Sequence, residues 1–129
     1  MRAVVVLALL CAGVPLLAHH SFSAYYFEED TIEIEGEIIE FQYQNPHAWV
    51  HVNGQDPFGR RKTYAAEWAS RARLESDGIK KDTLREGDFV RIWASPNRNP
   101  SDNRIRLKRI ERRRDKWQWG QQPTRQEDR

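Results

Sequence analysis

The chain has 129 residues, a length that suits one small domain. Hydrophobic residues make up 39% and charged residues 31%, which excludes both a membrane-embedded bundle and a low-hydrophobicity disordered chain. The one methionine and the one cysteine are Met1 and Cys11. Everything after residue 18 therefore lacks a disulfide and a thiolate metal ligand.

The chain opens on a secretory-type leader. Arg2 precedes an apolar run over 3–17, and Ala18 follows as a small exit residue. The run is too short and too lightly flanked to read as a transmembrane helix. Leu10 stands before Cys11 where lipid attachment needs a small residue, so lipidation is rejected. Cleavage is expected after Ala18. That makes His19 the mature N-terminus and the product periplasmic or secreted, with no transmembrane anchor.

Residues 19–30, HHSFSAYYFEED, read as an extended N-terminal arm, aromatic and then acidic. The domain proper is expected over 31–119. TIEIEGEIIEFQY alternates, with Ile32, Ile34 and Gly36 on one face and Glu33, Glu35 and Glu37 on the other. The phase slips after Ile38, where Ile39, Phe41 and Tyr43 take the opposite register. A slip beside a glycine predicts a β-bulge bending one long strand. Asn45-Pro46 ends it. A second strand over 47–52 places Ala48, Val50 and Val52 on one face, with His47, Trp49 and His51 on the other. NGQDPFG is a hairpin loop, and a third strand over 62–69 carries Tyr64, Ala66 and Trp68 in phase. Ser70 caps a short helix over 71–77 that Gly78 ends. A fourth strand spans 89–94. A fifth, over 104–110, points Ile105 and Leu107 inward and Arg104, Arg106 and Lys108 outward. Residues 120–129 form a polar tail expected to be disordered. The pattern is all-β with one short helix and fits a small five-stranded OB-like barrel. A β-sandwich fragment is the alternative.

Charge is segregated along the chain. From residue 19 to 59 there are eight acids and no Lys or Arg; from 60 to 129 there are 20 basic residues and 11 acids. The halves thus carry about −8 and +9. Two halves that neutralise each other in one fold explain this without a partner. Arg104, Arg106 and Lys108 are expected to face Glu33, Glu35 and Glu37 across the barrel.

AHHSF at the mature start, GEIIEFQYQNPHAWVHV and LREGDFVRIWASP resemble an uncharacterised family of small secreted bacterial proteins. Its members show a His-rich mature N-terminus and a strand bearing an N-P-H-A-W motif, here Asn45 to Trp49. The resemblance spans roughly residues 18 to 110. It implies an exported OB-like domain and no particular activity. Two features depart from it: Phe41-Gln42-Tyr43-Gln44 replaces a tryptophan beside the asparagine, and the stretch after Ile110 is rich in arginine.

All four histidines fall in two pairs, His19 with His20 and His47 with His51. Residues four apart on a straight strand are separated by roughly 13 Å, too far to share one ion. One of them combining with the arm remains open. A free amine and imidazole on His19 chelate a single ion, and a strand imidazole adds a third nitrogen. Nitrogen ligation without sulfur suits Cu(II), with Zn(II) and Ni(II) less distinctive. The plainer reading makes His19 and His20 a loose end, His47 a turn-fixing side chain and His51 a half-exposed strand residue. A second constellation joins Trp49 to Arg104, Arg106 and Lys108, a surface for an anionic or protein partner. Export argues against nucleic acid as that partner. No G-x-S-x-G, H-E-x-x-H, phosphate loop or cysteine nucleophile occurs after the leader, so the expectation is a binding or accessory domain and not an enzyme.

Overall fold

The computed structural model describes residues 20–121. The expected leader and cleavage point, His19 and residues 122–129 lie outside the described residues, as does the side chain of His20.

Helix α1 (His20–Tyr25) opens the described chain, followed by β1 (Ile32–Gln42), β2 (Trp49–Gln55), β3 (Arg61–Glu67), α2 (Arg71–Ser76), β4 (Phe89–Ser95), β5 (Arg104–Arg112) and β6 (Gln118–Trp119). The strands run β3-β2-β1-β4-β5-β6, and a parallel β3–β5 pairing closes the first five into a barrel. With the helix between β3 and β4, this is the OB arrangement. The sandwich alternative fails because closure leaves one sheet curled on itself.

The long first strand makes the closure possible. It pairs with β4 through Ile32–Glu37 and with β2 through Glu35–Gln42, and its register shifts between Ile38 and Glu40. Ile39 is the extra residue and is turned to solvent. Gly36 sits where the two pairings overlap: a Cβ there would stand 2.2 Å from the Asn53 carbonyl oxygen. A side chain is sterically barred, so the β1–β2 approach depends on glycine. A second shift lies between Trp93 and Ala94 opposite Lys108, which returns Ile110 to the interior after Ile105 and Leu107.

The core holds Ile34, Ile38, Val50, Val52, Ala66, Val90, Ile92 and Ile110, all almost fully buried. Apart from Ile110, which the second register shift returns inward, these are the in-phase positions of the five strands. One end of the barrel is stoppered by aromatics. Trp68 meets Trp119 edge-on at 5.1 Å and Phe41 at 6.0 Å. Helix α2 covers this end. Ser70 Oγ accepts from Arg73 N at 3.2 Å as the N-cap, Leu74 is buried, and Gly78 continues past the end with φ +78°.

Two expectations are corrected. The segment after residue 19 is not extended throughout, because six residues form α1. A helix so short has no stability of its own. It exists because Phe22 and Tyr26, four apart, point the same way onto the barrel. The other correction concerns charge pairing. The β1 glutamates do not face Arg104, Arg106 and Lys108, because β1 lies between β2 and β4 while β5 closes against β3. Glu33 and Glu35 meet Arg91 of β4 at 3.2 and 2.5 Å, and Glu35 also meets Arg113 at 2.9 Å. The acidic first half and basic second half do neutralise each other, through different partners. Strand β6 was not foreseen: two residues carry too little pattern to read.

Candidate functional site

The outer face of β2, β3 and β5 is where α1 docks. In sequence order it carries His47, Trp49 and His51, then Ala65 and Glu67, then Arg104 and Arg106. The pairing aligns Trp49 with Glu67, His51 with Ala65, Ala65 with Arg104, and Glu67 with Arg106. His47 precedes β2 in a short turn that includes a cis Asn45–Pro46 peptide. Ala48 is tied on both sides, to Ala69 O and from Trp68 N. His47 is thereby set outward while its neighbour Ala48 is fully buried.

Glu67 organises this face. Its Oε1 lies 2.9 Å from His47 Nδ1, and its Oε2 accepts from the Tyr26 hydroxyl at 2.5 Å. One carboxylate thus links the strand-borne histidine to the arm. The Glu67 side chain is 12% exposed and that of His47 is 35% exposed. Burial, and then the adjacent Glu67 carboxylate, push the Tyr26 phenol well above its ordinary value, so the hydroxyl stays a proton donor to Glu67. With Nδ1–H engaged by the carboxylate, the His47 Nε2 lone pair is left for another partner.

The arm closes over this pair. The Phe22 ring lies 5.3 Å from the His47 ring, and the Arg106 guanidinium stacks on Phe22 at 3.4 Å from its centroid. Arg98 N donates to Tyr25 O, Phe27 N donates to Pro96 O, and Arg98 Nε donates to Ser23 O. The loop before β5 therefore clasps the arm from its other side.

The sequence-derived residues divide accordingly. His47, Arg104 and Arg106 are brought around the arm, with Trp49 half-buried beside Glu67. His51 lies on the same face, but its Nε2 is buried and has no partner among the described residues. Lys108 is removed from the group: its ammonium caps Glu28 O, Asp30 O and Thr31 Oγ1 at 2.7–2.9 Å. Arg104 is bound by Asp102, whose carboxyl it holds down at about 2. Among the described residues no group of three His, Cys, Asp or Glu side chains stands ready to hold a metal ion. No described helix is long and apolar enough to cross a membrane.

Sequence reasoning missed Tyr26, which reads as one aromatic in a lead-in, and set Glu67 aside: on the face opposite Tyr64 and Ala66 it is a candidate buried carboxylate, but a lone strand glutamate is usually solvated or ion-paired. The available signal was phase: Glu67 is opposite in phase to Tyr64, Ala66 and Trp68, and so shares a face with His47 if the strands pair.

These features define a small OB-type barrel whose outer β2–β3–β5 face is occupied by its own N-terminal helix. The chain belongs to a family of unknown function (DUF6152), whose model matches residues 6–106. Neither the curated proteins nor the solved structures contain a match to it.

Proposed function

We propose that the protein is an exported, non-enzymatic binding domain that holds one Cu(II) ion through three nitrogens: the amino group and imidazole of His19, freed by cleavage after Ala18, and Nε2 of His47. The observation that carries this reading is the 2.9 Å contact between Glu67 and His47 Nδ1. A carboxylate on one ring nitrogen is the outer-shell device that fixes the tautomer and raises the basicity of a metal-binding imidazole. The docked arm supports the same reading. Phe22 packs on His47 and stands only three residues after His19 in the sequence. His47 is favoured over His51, whose Nε2 is enclosed. Nitrogen ligands without sulfur favour the oxidised ion.

Calorimetry with Cu(II) on protein beginning at His19 tests the proposal. One-to-one binding is expected, and it should weaken strongly when one residue is added before His19 or when His47 is replaced by Ala. Equal affinity in the extended protein overturns the chelate. The second reading, an anion- or protein-binding surface, draws on Arg106, which has no carboxylate partner among the described residues. It requires that copper bind no better to the native N-terminus than to the extended one.

A further inference from the structure

A separate cleft of about 1210 Å³ opens between the end of α2, the β4–β5 face, β6 and residues 29–31. Trp93 and Trp119 line it, both half-buried, and its polar lining includes Arg73, Arg106 and Arg109. We propose that this cleft binds a small carboxylate that carries a ring, with Arg106 receiving the carboxylate and the two indoles forming apolar walls.

Most of the positive charges in the cleft are already engaged. Arg73 contacts Asp77 at 3.4 Å, and Asp77 also accepts from Trp119 Nε1 at 3.0 Å. Arg109 is pinned against Trp93 at 4.7 Å, and its terminal nitrogen donates to Gln118 Oε1 at 2.5 Å. Lys108 is spent on the carbonyls of residues 28 and 30. Arg106 differs from these. Arg104, Arg109 and Arg112 on the same strand each have a carboxylate within 4.0 Å, whereas Arg106 has only the Phe22 ring among the described residues. A guanidinium whose donors meet no partner among the described residues, in a half-buried position, is the group that a planar carboxylate engages through two parallel bonds. The indole walls add apolar area but no charge, which favours a ligand with a ring beyond the carboxylate. The volume exceeds that of a typical small-ligand pocket, so such a molecule fits with water around it. Glu29 and Asp30 also line the cleft and oppose an anion, which restricts the ligand to one carboxylate placed at Arg106.

An aromatic acid and a sugar acid share this chemistry. Titration of the protein with benzoate, glucuronate, acetate and inorganic phosphate, followed by tryptophan fluorescence and calorimetry, distinguishes them. One ring-bearing carboxylate is expected to saturate the protein and to bind better than acetate or phosphate. Benzoate as that ligand assigns an aromatic acid; glucuronate assigns a sugar acid. Arg106→Gln should weaken it about tenfold or more, Arg106→Lys less so, and one residue added before His19 not at all. Failure of both ring-bearing probes, equal binding of acetate, or full binding by folded Arg106→Gln overturns the proposal. The extended N-terminus, which breaks the His19 chelate and leaves Arg106 in place, keeps this outcome independent of copper.

Discussion

Tyr26→Phe tests the connection that holds the arm to the barrel. The substitution keeps a ring that is only 2% exposed and deletes one hydroxyl. Burial of the ring cancels between the two proteins, so the difference isolates the bond to Glu67 at 2.5 Å. A hydrogen bond to a charged group contributes about 1.5–3 kcal/mol, and the acceptor is left without that donor on a largely enclosed carboxylate. A loss of about 2 kcal/mol follows, equivalent to roughly 8–16 °C in the unfolding midpoint of a domain of this size. Urea unfolding followed by tryptophan fluorescence measures it, with an unchanged slope as the sign that only stability has moved. The pH dependence provides a second check. The folded state holds the Tyr26 proton more tightly than the unfolded chain, whose tyrosine titrates near 10. The stabilisation is therefore complete below about pH 10 and is lost as pH rises through the folded-state value. The cost of Tyr26→Phe should shrink in that alkaline range. A cost under about 0.5 kcal/mol at neutral pH, or one that does not fall above pH 10, refutes the reasoning.

Gly36→Ala should be among the most damaging single changes, at about 3 kcal/mol by denaturation, because its Cβ would stand 2.2 Å from the Asn53 carbonyl oxygen. Arg112 is buried, donates to both oxygens of Asp115 and bonds the Thr83 carbonyl, so Arg112→Met should lower the unfolding midpoint by several degrees. Hydrogen bonds from Arg112 hold the Asp115 carboxyl down at about 2. Its contribution is present above about pH 4 and is lost as pH falls toward 2, so the wild type and Arg112→Met should converge in acid melts. Under the copper reading, Glu67→Gln should weaken Cu(II) binding about 10- to 100-fold by calorimetry. His51→Ala should leave it unchanged, and a reversal of those two results would exchange the histidines' roles.

The acids and arginines show how local and global information divide. Charge segregation along the chain pointed to internal neutralisation, and Glu33, Glu35, Arg91 and Arg113 realise it. The partners were beyond reach, because which strands become neighbours depends on how the barrel closes. The same holds for Glu67. Its outward phase is a local property, but its proximity to His47 and Tyr26 requires β2–β3 pairing and a docked arm, 20 and 41 residues apart in sequence.

What the sequence determined by itself is what short-range physics encodes. Alternation placed the five barrel strands, the glycine and phase slip located the bulge after Ile38, and Ser70 and Gly78 bounded the helix. The absence of sulfur after residue 18 restricted any metal to nitrogen and oxygen ligands. Only the tertiary structure decided that α1 is a helix, that Glu67 joins His47 to Tyr26, and that Arg106 stands without a carboxylate among the described residues. Each depends on contacts between segments far apart in the chain. Their geometry is set by closure of β3 against β5, by burial of Tyr26 and by packing of Phe22 on His47, which no local pattern contains.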